Sequence, residues 1–340
     1  MLRLETHASL AGHAPAWDAL VDLAPRPSPF LCSWWVDAAV GGTPAFVLAF
    51  DGSQLVGGLP LSVDRGRGVA RVRIVSAGNP HDLDVVARPE RADEVAGAVV
   101  GWLTRTGNRI VDLRGLAQDG ALVRHAPTGA RIERQESAPW MDLPSTFEAY
   151  LASRKKKLRQ DIRRVIRRLE EKGVEWRIAR PGDTDQSLAT LHRLHALRWK
   201  DESEFLASFD EFARAARAGA ARGELRFHEA FVGDCVIAST VTIERAGTCF
   251  CHQIGRDPSR DWSGSGTFIK ARAIDWACSS GLRRLDLCFG EHPGKAEWVD
   301  ELRPVVSARW AEGLLGRPLN RALRAVAPAV DVVRRRRSAG

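Results

Sequence analysis

The chain has 340 residues, 44% of them hydrophobic and 27% charged, and a formal net charge of +8. That balance fits a globular protein of roughly two domains, not a disordered or membrane one. No apolar run approaches the ~20 residues of a membrane span, the longest lying near Val95 to Leu103. The charge is uneven: residues 1–150 carry −3 and residues 151–340 carry +11, most of it from Arg154–Glu171 and Arg334–Arg337. A basic patch, not a basic protein, therefore needs explaining. The six cysteines form no Cys-x-x-Cys pair. Cys249 and Cys251 would share one face of a strand, but too few partners stand at zinc spacing, so buried free thiols and no metal are expected. The start of the chain shows no basic stretch followed by an apolar core, and a cytoplasmic protein is expected.

Residues 14–45 mix prolines with Trp17, Trp34 and Trp35 and read as short helices and loops. Ala45–Phe50, Leu55–Val63 and Val69–Ser76 read as a three-strand meander with glycine turns. After the turn Asn79-Pro80-His81-Asp82, a helix is predicted over Arg91–Arg105 and a strand at Arg109–Leu113, with Pro139–Ser145 as a connection. Ser153–Glu171 carries the firmest helical pattern, with Leu158, Ile162, Val165 and Leu169 spaced by four, three and four. A second helix spans about Gln186 to Trp199. Strands follow at Leu225–Phe231, Cys235–Glu244 and Thr248–Gly255, then a helix over Thr267–Ser280 ended by Gly281, and a strand at Leu285–Phe289. Ser307–Trp310 reads as a last strand, and the tail from Arg317 as a helix interrupted by Pro328 and then arginine-rich.

Two stretches about 180 residues apart are alike. Phe50-Asp51-Gly52-Ser53-Gln54-Leu55-Val56-Gly57 matches Phe231-Val232-Gly233-Asp234-Cys235-Val236-Ile237-Ala238, and Arg109–Leu113 matches Arg283–Leu287. This self-similarity implies a duplicated α/β unit. The copies differ where Trp262-Ser263-Gly264-Ser265-Gly266-Thr267 precedes the second helix, since the first copy has Asp82-Leu83-Asp84 and no glycine pair there. A strand, a Gly-x-Gly loop and a helix N-terminus together make an anion site, although the bland reading is a turn into a helix. Antiparallel strands before the loop exclude a dinucleotide fingerprint, and no Gly-Lys-Ser or Gly-Lys-Thr follows to make a Walker loop.

Meander, glycine loop, helix and a strand running Asp286-x-x-x-Gly290-Glu291-x-x-x-Lys295 resemble the Gcn5-related acyltransferase (GNAT) superfamily. More narrowly, they resemble its cellulose-biosynthesis-type acetyltransferases and the Fem-type peptidyltransferases, which are doubled GNAT folds. The likeness is good over about 150–310 and weaker over 15–150. It implies an α/β (α+β) fold of tandem GNAT-like lobes, each a mixed, mainly antiparallel sheet flanked by helices. The expected division is an acceptor-side lobe over 1–150, an acyl-donor lobe over 151–315 and a basic tail over 316–340. It also implies acyl transfer from acetyl-CoA or another acyl-CoA to an amine or hydroxyl. A Fem-like transferase using aminoacyl-tRNA is the alternative, and a non-catalytic polyanion- or RNA-binding protein stands outside the enzymes. The family loop has Gln or Arg three residues before its first glycine, where this chain has Asp261 with Arg260 one earlier. The relatives carry Tyr before the lysine matching Lys295, where this chain has Gly294.

On that resemblance the donor would be held by Arg260, Ser263, Gly264, Ser265, Gly266 and Thr267. Glu291 and Asp286 are candidates for base and orienting carboxylate, although Asp112 at the matching place of the first copy leaves a strand-end role open for Asp286. His252 is a third candidate base or a histidine satisfied by a backbone carbonyl. Asp82, Asp84, Trp199 and Lys295 are candidates for acceptor binding, with an Asx turn as the other account of Asp82. His192 and His195 share a helix face and read as structural or substrate-lining. Arg154, Lys155, Lys156 and Lys157 crowd a helix N-terminus against the helix dipole, and Arg163, Arg164 and Arg167 add like-charge pairs. A solvated face explains such a run; a bound polyanion, either coenzyme A phosphate or tRNA, would relieve it.

Overall fold

A computed structural model of the chain describes residues 2–39, 42–66, 68–75, 80–105, 107–199, 203–290, 293–316 and 318. In chain order the first half comprises β1 (Arg3–His7), α1 (Ala14–Leu23), α2 (Ser33–Ala38), β2 (Thr43–Asp51), β3 (Gln54–Gly66), β4 (Val69–Ile74), β5 (Val86–Ala87), α3 (Ala92–Arg105), β6 (Arg109–Ala117), α4 (Ala121–Arg124) and β7 (Arg131–Asp142). The second comprises α5 (Phe147–Ser153), α6 (Lys156–Glu171), β8 (Glu175–Ile178), α7 (Thr184–Trp199), α8 (Glu204–Ala207), α9 (Phe209–Ala221), β9 (Leu225–Val232), β10 (Cys235–Arg245), β11 (Thr248–Arg256), α10 (Ser265–Ser279), β12 (Arg284–Asp286), α11 (Pro293–Ala296) and β13 (Glu301–Glu312). The strands form one mixed sheet in the order β1-β2-β3-β4-β6-β13-β7-β12-β11-β10-β9-β8, with β5 added on β3.

That order is the same unit written twice. In each half an antiparallel meander ends on a strand paired in parallel with the strand after a helix: β4 with β6, and β11 with β12. The two similar sequence stretches are the hairpins β2–β3 and β9–β10. The halves also exchange their last strands, since β13 from the second half pairs with β6, and β7 from the first half pairs with β12. Both then pair with each other. Strand β7 takes in the start of Pro139–Ser145, which reads from sequence as a connection, and its charged, exposed first half lacks the apolar alternation that signals a strand.

Each parallel pair is short and then splays. Strand β4 pairs with β6 only over Ala70–Val72, and β11 with β12 only over Thr248–Phe250. In the first half the notch is filled by the chain itself. Leu83 donates from its N–H to Gly115 and accepts from Ala117, while Val86 and Ala87 pair with Gly57 and Gly58 of β3. Close approach explains the glycines here: a Cβ on Gly57 would lie 2.5 Å from the Val86 carbonyl, and one on Gly115, at φ +73°, would lie 2.5 Å from the Pro80 carbonyl. In the second half the notch stays open, because the chain after β12 turns toward β7, with Leu287 donating to Pro139 (2.8 Å) and Gly290 to Ser137 (3.1 Å).

Helix α6 begins at Lys156, not Ser153, and α5 precedes it. The break falls where Arg154 is drawn inward: its backbone is extended, and its guanidinium bonds Asp300 at 2.5 Å and lies 5.4 Å from the Tyr150 ring. Ile162, Val165 and Leu169 are the buried face of α6, as the sequence spacing predicts. Among the described residues no helix is long and apolar enough to cross a membrane. Of the expected basic tail over 316–340, residues 317 and 319–340 lie outside the described residues.

The filled notch makes a direct prediction. Gly115→Ala is expected to destabilise the protein by about 1–3 kcal/mol in urea unfolding, because the added methyl runs into the Pro80 carbonyl at a left-handed backbone position. An unchanged midpoint would contradict the packing described.

Candidate functional site

The open notch of the second half is the inner part of a cleft of about 880 Å³. One wall is β11, whose edge from Cys251 to Arg256 extends past its pairing with β12 and borders the cleft through His252, Gln253, Ile254 and Arg256. Val241 pairs with Gln253 and the next residue, Thr242, with Cys251, so His252 is an extra residue in a β-bulge that bends the strand away from β12. At one end stands the glycine loop. Gly264 adopts φ +88° as N-cap of α10, and Ser263, Gly264, Gly266 and Thr267 line the cleft. Amides at the start of a 15-residue helix with no acidic residue in its first turn present positive potential there. Helix α6 flanks the loop, and Arg168 donates to the Ser263 carbonyl while Lys172 donates to that of Asp261 (3.0 Å).

Four cations line the same cleft: Arg198, Arg256, Lys270 and Lys295. Lys270 reaches the Gly294 carbonyl at 3.4 Å and lies 4.6 Å from the Trp298 ring, and Lys295 donates to the Phe289 carbonyl at 2.9 Å. None of the four forms an ion pair with a carboxylate among the described residues. Burial pushes the Lys270 ammonium down to about 8, helped by Lys295 and Arg198, and burial also lowers Lys295. The lining also carries Glu136, Asp161 and Glu297, so the preference for an anion belongs to the end where Arg256 and the first amides of α10 meet.

Behind the cleft wall lies a buried charge network that joins the halves. Asp286, 1% exposed, accepts from His81 Nε2 (2.9 Å) and from the Cys288 N–H (2.7 Å) on one oxygen, and from Arg303 on the other. Arg303 also pairs with Asp82 at 2.8 Å. Burial raises the Asp286 carboxyl, but His81, Arg303 and the Cys288 amide outweigh it, and the group sits below the usual carboxylate range. Asp82 and Cys288 both hold left-handed backbone, at φ 55° and 60°, costly for non-glycine residues and kept only because these contacts fix them. His81, Asp286 and Cys288 offer ligand atoms within 4.8 Å of one another. Arg303 already neutralises Asp286, however, and burial followed by the Asp286 charge holds the Cys288 thiol well above its ordinary value, so this set is poor for a cation or a thiolate nucleophile.

The sequence candidates therefore divide. Ser263, Gly264, Gly266, Thr267, His252, Trp199 and Lys295 meet at the cleft. Ser265 is buried and Arg260 sits in the turn before the loop, neither among the lining residues. Asp286 and Asp82 lie in the network behind it. Asp84 faces α4, accepting from Ala121 (2.6 Å) and Leu122 (2.9 Å), so its oxygens are used as a helix cap. Arg154 is spent on Asp300, and Arg163 and Arg164 pair with Glu148 (2.5 Å) and Asp161 (2.7 Å), leaving Lys155, Lys156 and Lys157 as the exposed cations at the start of α6. Arg167 is 3.8 Å from Glu171. Glu291 lies outside the described residues. His195 lines the cleft with Nε2 on Ser203 Oγ (2.8 Å), whereas His192 packs on Phe209. His81, Arg303, Lys270 and Arg198 were not singled out from sequence: they come to the site from four separate elements, and only the Asn79-Pro80-His81-Asp82 turn marked the spot.

Asp286 and His252 both act differently from a free base. Asp286 has both oxygens occupied, whereas Asp112 in the first copy pairs with the exposed Arg114. Burial lowers His252 to about 3, with His81 and Lys295 adding to the effect. It is a neutral imidazole at ordinary pH and a weak base.

Residues 156–296 match the family model described as acetyltransferase (GNAT) domain. No curated protein sequence matches the chain. Among solved structures, FemX superposes with a TM-score of 0.68 at 10% identity, covering 94% of this chain and 99% of its own. L-PGS from Bacillus licheniformis gives 0.55 at 13% identity, covering 86% and 90%. A tandem GNAT protein from the clavulanic acid biosynthesis pathway gives 0.52 at 13% identity, covering 92% and 99%. Residues 156–296 are thus similar to a GNAT domain, and the chain has the mixed α/β fold of these tandem and Fem-like structures.

Two buried imidazoles set an acid limit on stability. Burial holds His252 and His228 each at about 3 in the folded chain, against 6.5 for a free imidazole. Between those values the unfolded chain binds protons that the folded chain refuses, so stability is fully present above pH 6.5 and falls on acidification toward pH 3. Each group is expected to contribute at most about 1.4 kcal/mol per pH unit. Urea unfolding from pH 7 to 4 checks this: His252→Gln should flatten the slope, and the double variant with His228→Gln should flatten it further.

Proposed function

We propose that the protein is an acyltransferase that moves an acyl group from acyl-CoA to an amine or hydroxyl of a small molecule or sugar. The observation that carries this reading is the open notch itself, with an uncapped glycine loop and helix N-terminus at one end and an unpaired strand edge along its wall. The glycine loop and α10 suit a diphosphate, and Arg256 beside them adds a counter-charge. The unpaired edge of β11 offers backbone N–H groups to a thioester carbonyl, where negative charge develops as the acceptor attacks. The nucleophile forms a bond to the carbonyl carbon, the carbon–sulfur bond breaks, and the acceptor's proton must reach the departing sulfur.

Lys270 fits the proton transfer: it lines the cleft and, at about 8, exchanges a proton near neutral pH. His252 is too weak a base for this role, and Asp286 positions the strand end instead of meeting the acceptor.

The second reading, transfer from aminoacyl-tRNA, has its own observation. The exposed Lys155, Lys156 and Lys157 start a helix whose Leu158, Asp161 and Val165 line the cleft. A polyanion lying on α6 would therefore lead into the same notch. The FemX likeness supports the geometry of this reading. Polyanion binding without turnover is the remaining outcome.

Thermal unfolding with free coenzyme A, acetyl-CoA and bulk aminoacyl-tRNA in parallel separates these readings. A CoA species at 100 times its dissociation constant is expected to stabilise the protein by about 2.7 kcal/mol. Gly266→Val, which puts a side chain on the cleft wall, should weaken that binding at least about tenfold, or 1.4 kcal/mol. A response to tRNA alone would overturn the acyl-CoA reading.

A further inference from the structure

We propose that Lys270 is a self-acylation site, a nucleophilic lysine that takes up the acyl group of a thioester entering the cleft. Helix α10 places it there. Gly266, on the first turn, faces β11, since a Cβ on it would lie 3.1 Å from Arg256 Cδ and 3.8 Å from Ile254 Cδ1. Lys270 follows four residues later and so extends from the same face one turn further along. It is half-buried, and its side chain lines the cleft and reaches the Gly294 carbonyl at 3.4 Å. Its Nζ stands 4.6 Å from the centre of the Trp298 ring. That ring is buried and anchored, because the Tyr150 hydroxyl donates to the Trp298 carbonyl at 2.8 Å. A thioester lying along the open edge of β11 from the glycine loop passes this amine.

The surroundings favour the reactive form. A lysine is a nucleophile only when neutral, and carboxylates and short hydrogen bonds keep it charged. Lys270 has neither: its hydrogen bond to Gly294 is long, and no carboxylate pairs with it among the described residues. The charged and titratable groups that face it are the Cys251 thiol of β11, Lys295 of α11 and Arg198 of α7. Glu136, Asp161 and Glu297 border the same cleft, but Glu136 acts on Lys295, Asp161 pairs with Arg164, and Glu297 is exposed. Burial, Lys295 and Arg198 hold the Lys270 ammonium at about 8, so near pH 7 about a tenth of it is neutral, against under about a thousandth of an ordinary lysine. Burial lowers Lys295 too, yet it donates to the Phe289 carbonyl at 2.9 Å, and Cys288, Asp286 and Glu136 all favour its charge. In the step itself the neutral Nζ adds to the carbonyl carbon and the carbon–sulfur bond breaks. The proton lost from nitrogen goes to the departing sulfur, leaving an amide on Lys270 and a free thiol. That amide no longer exchanges a proton, so the modification silences the transfer proposed above.

The silencing rests on the acyl-transfer reading; the nucleophile does not. Peptide mass spectrometry of the full-length protein tests it with two acetyl thioesters: S-acetyl-N-acetylcysteamine, which lacks the nucleotide, and acetyl-CoA. Near pH 7 the small thioester is expected to acetylate Lys270 at least about tenfold faster than Lys155, Lys156, Lys157 or Lys295. The rate at Lys270 should level off above a pH of about 8, whereas the rate at the exposed lysines keeps rising. Lys270→Arg should abolish that one label and leave the others, and the wild-type map stands even if the variant folds poorly. Acetylation of Lys270 no faster than that of Lys155, Lys156 and Lys157 would overturn the proposal. Acetyl-CoA that stabilises the protein in thermal unfolding without labelling Lys270 would also overturn it, and the acyl-CoA reading would survive. Labelling by the small thioester, while acetyl-CoA neither binds nor labels, keeps the site and removes the acyl-CoA reading.

Discussion

A carboxylate with almost no access to water must be paired, and the partners of Asp286 come from three separate parts of the chain. His81 arrives on the loop after β4, Arg303 on β13, and the Cys288 amide from the turn just beyond β12. Removing one partner of such a buried pair typically costs about 3–5 kcal/mol, so the three segments are fixed relative to one another. The consequence reaches the cleft. Cys288 is held in left-handed backbone, the chain after it swings to β7, and the notch beside β11 cannot close by further pairing. Exchange of β7 and β13 adds the backbone ladder that keeps the halves in this register.

The duplication explains why one sheet holds two such notches and uses them differently. In the first half, Leu83 and the Val86–Ala87 strand occupy the space between the splayed strands, and glycines at 57, 58 and 115 let backbone pack on backbone. The same loop that plugs this notch carries His81 and Asp82 into the other half. The first lobe has thus become a support for the second: its plug supplies a wall contact where its counterpart keeps a glycine loop and an open edge. An open notch in one half and a filled one in the other follow from a single loop.

Much of this was legible in the sequence, and the reasons for the rest are physical. The meander, the hairpin β9–β10, the glycine loop and α10 announced themselves by alternation, turn glycines and helical spacing, all local signals. The resemblance of Asp286 to Asp112 was also visible, but burial separates them: one is enclosed by His81 and Arg303, the other faces a surface arginine. Strand β7 was hidden because its exposed half is charged, and the start of α6 because Arg154 turns inward to Asp300. The basic run looked uniform along the sequence; in the fold, some of its charges are spent on neighbours and the lysines at its start are not. His252 as a base was a reasonable expectation from residue type alone. Its proton affinity is set by rings contributed from three other elements, and no spacing rule reports that.

The central claim is that only the second of two equivalent notches receives a ligand, and hydrogen exchange resolved by peptide, with and without coenzyme A, tests it most directly. Protection confined to the open edge of β11 and the glycine loop, roughly residues 251–268, with exchange in residues 80–88 unchanged, is the result predicted here. Protection that appeared instead in residues 80–88, or nowhere along the β11 edge, would contradict it.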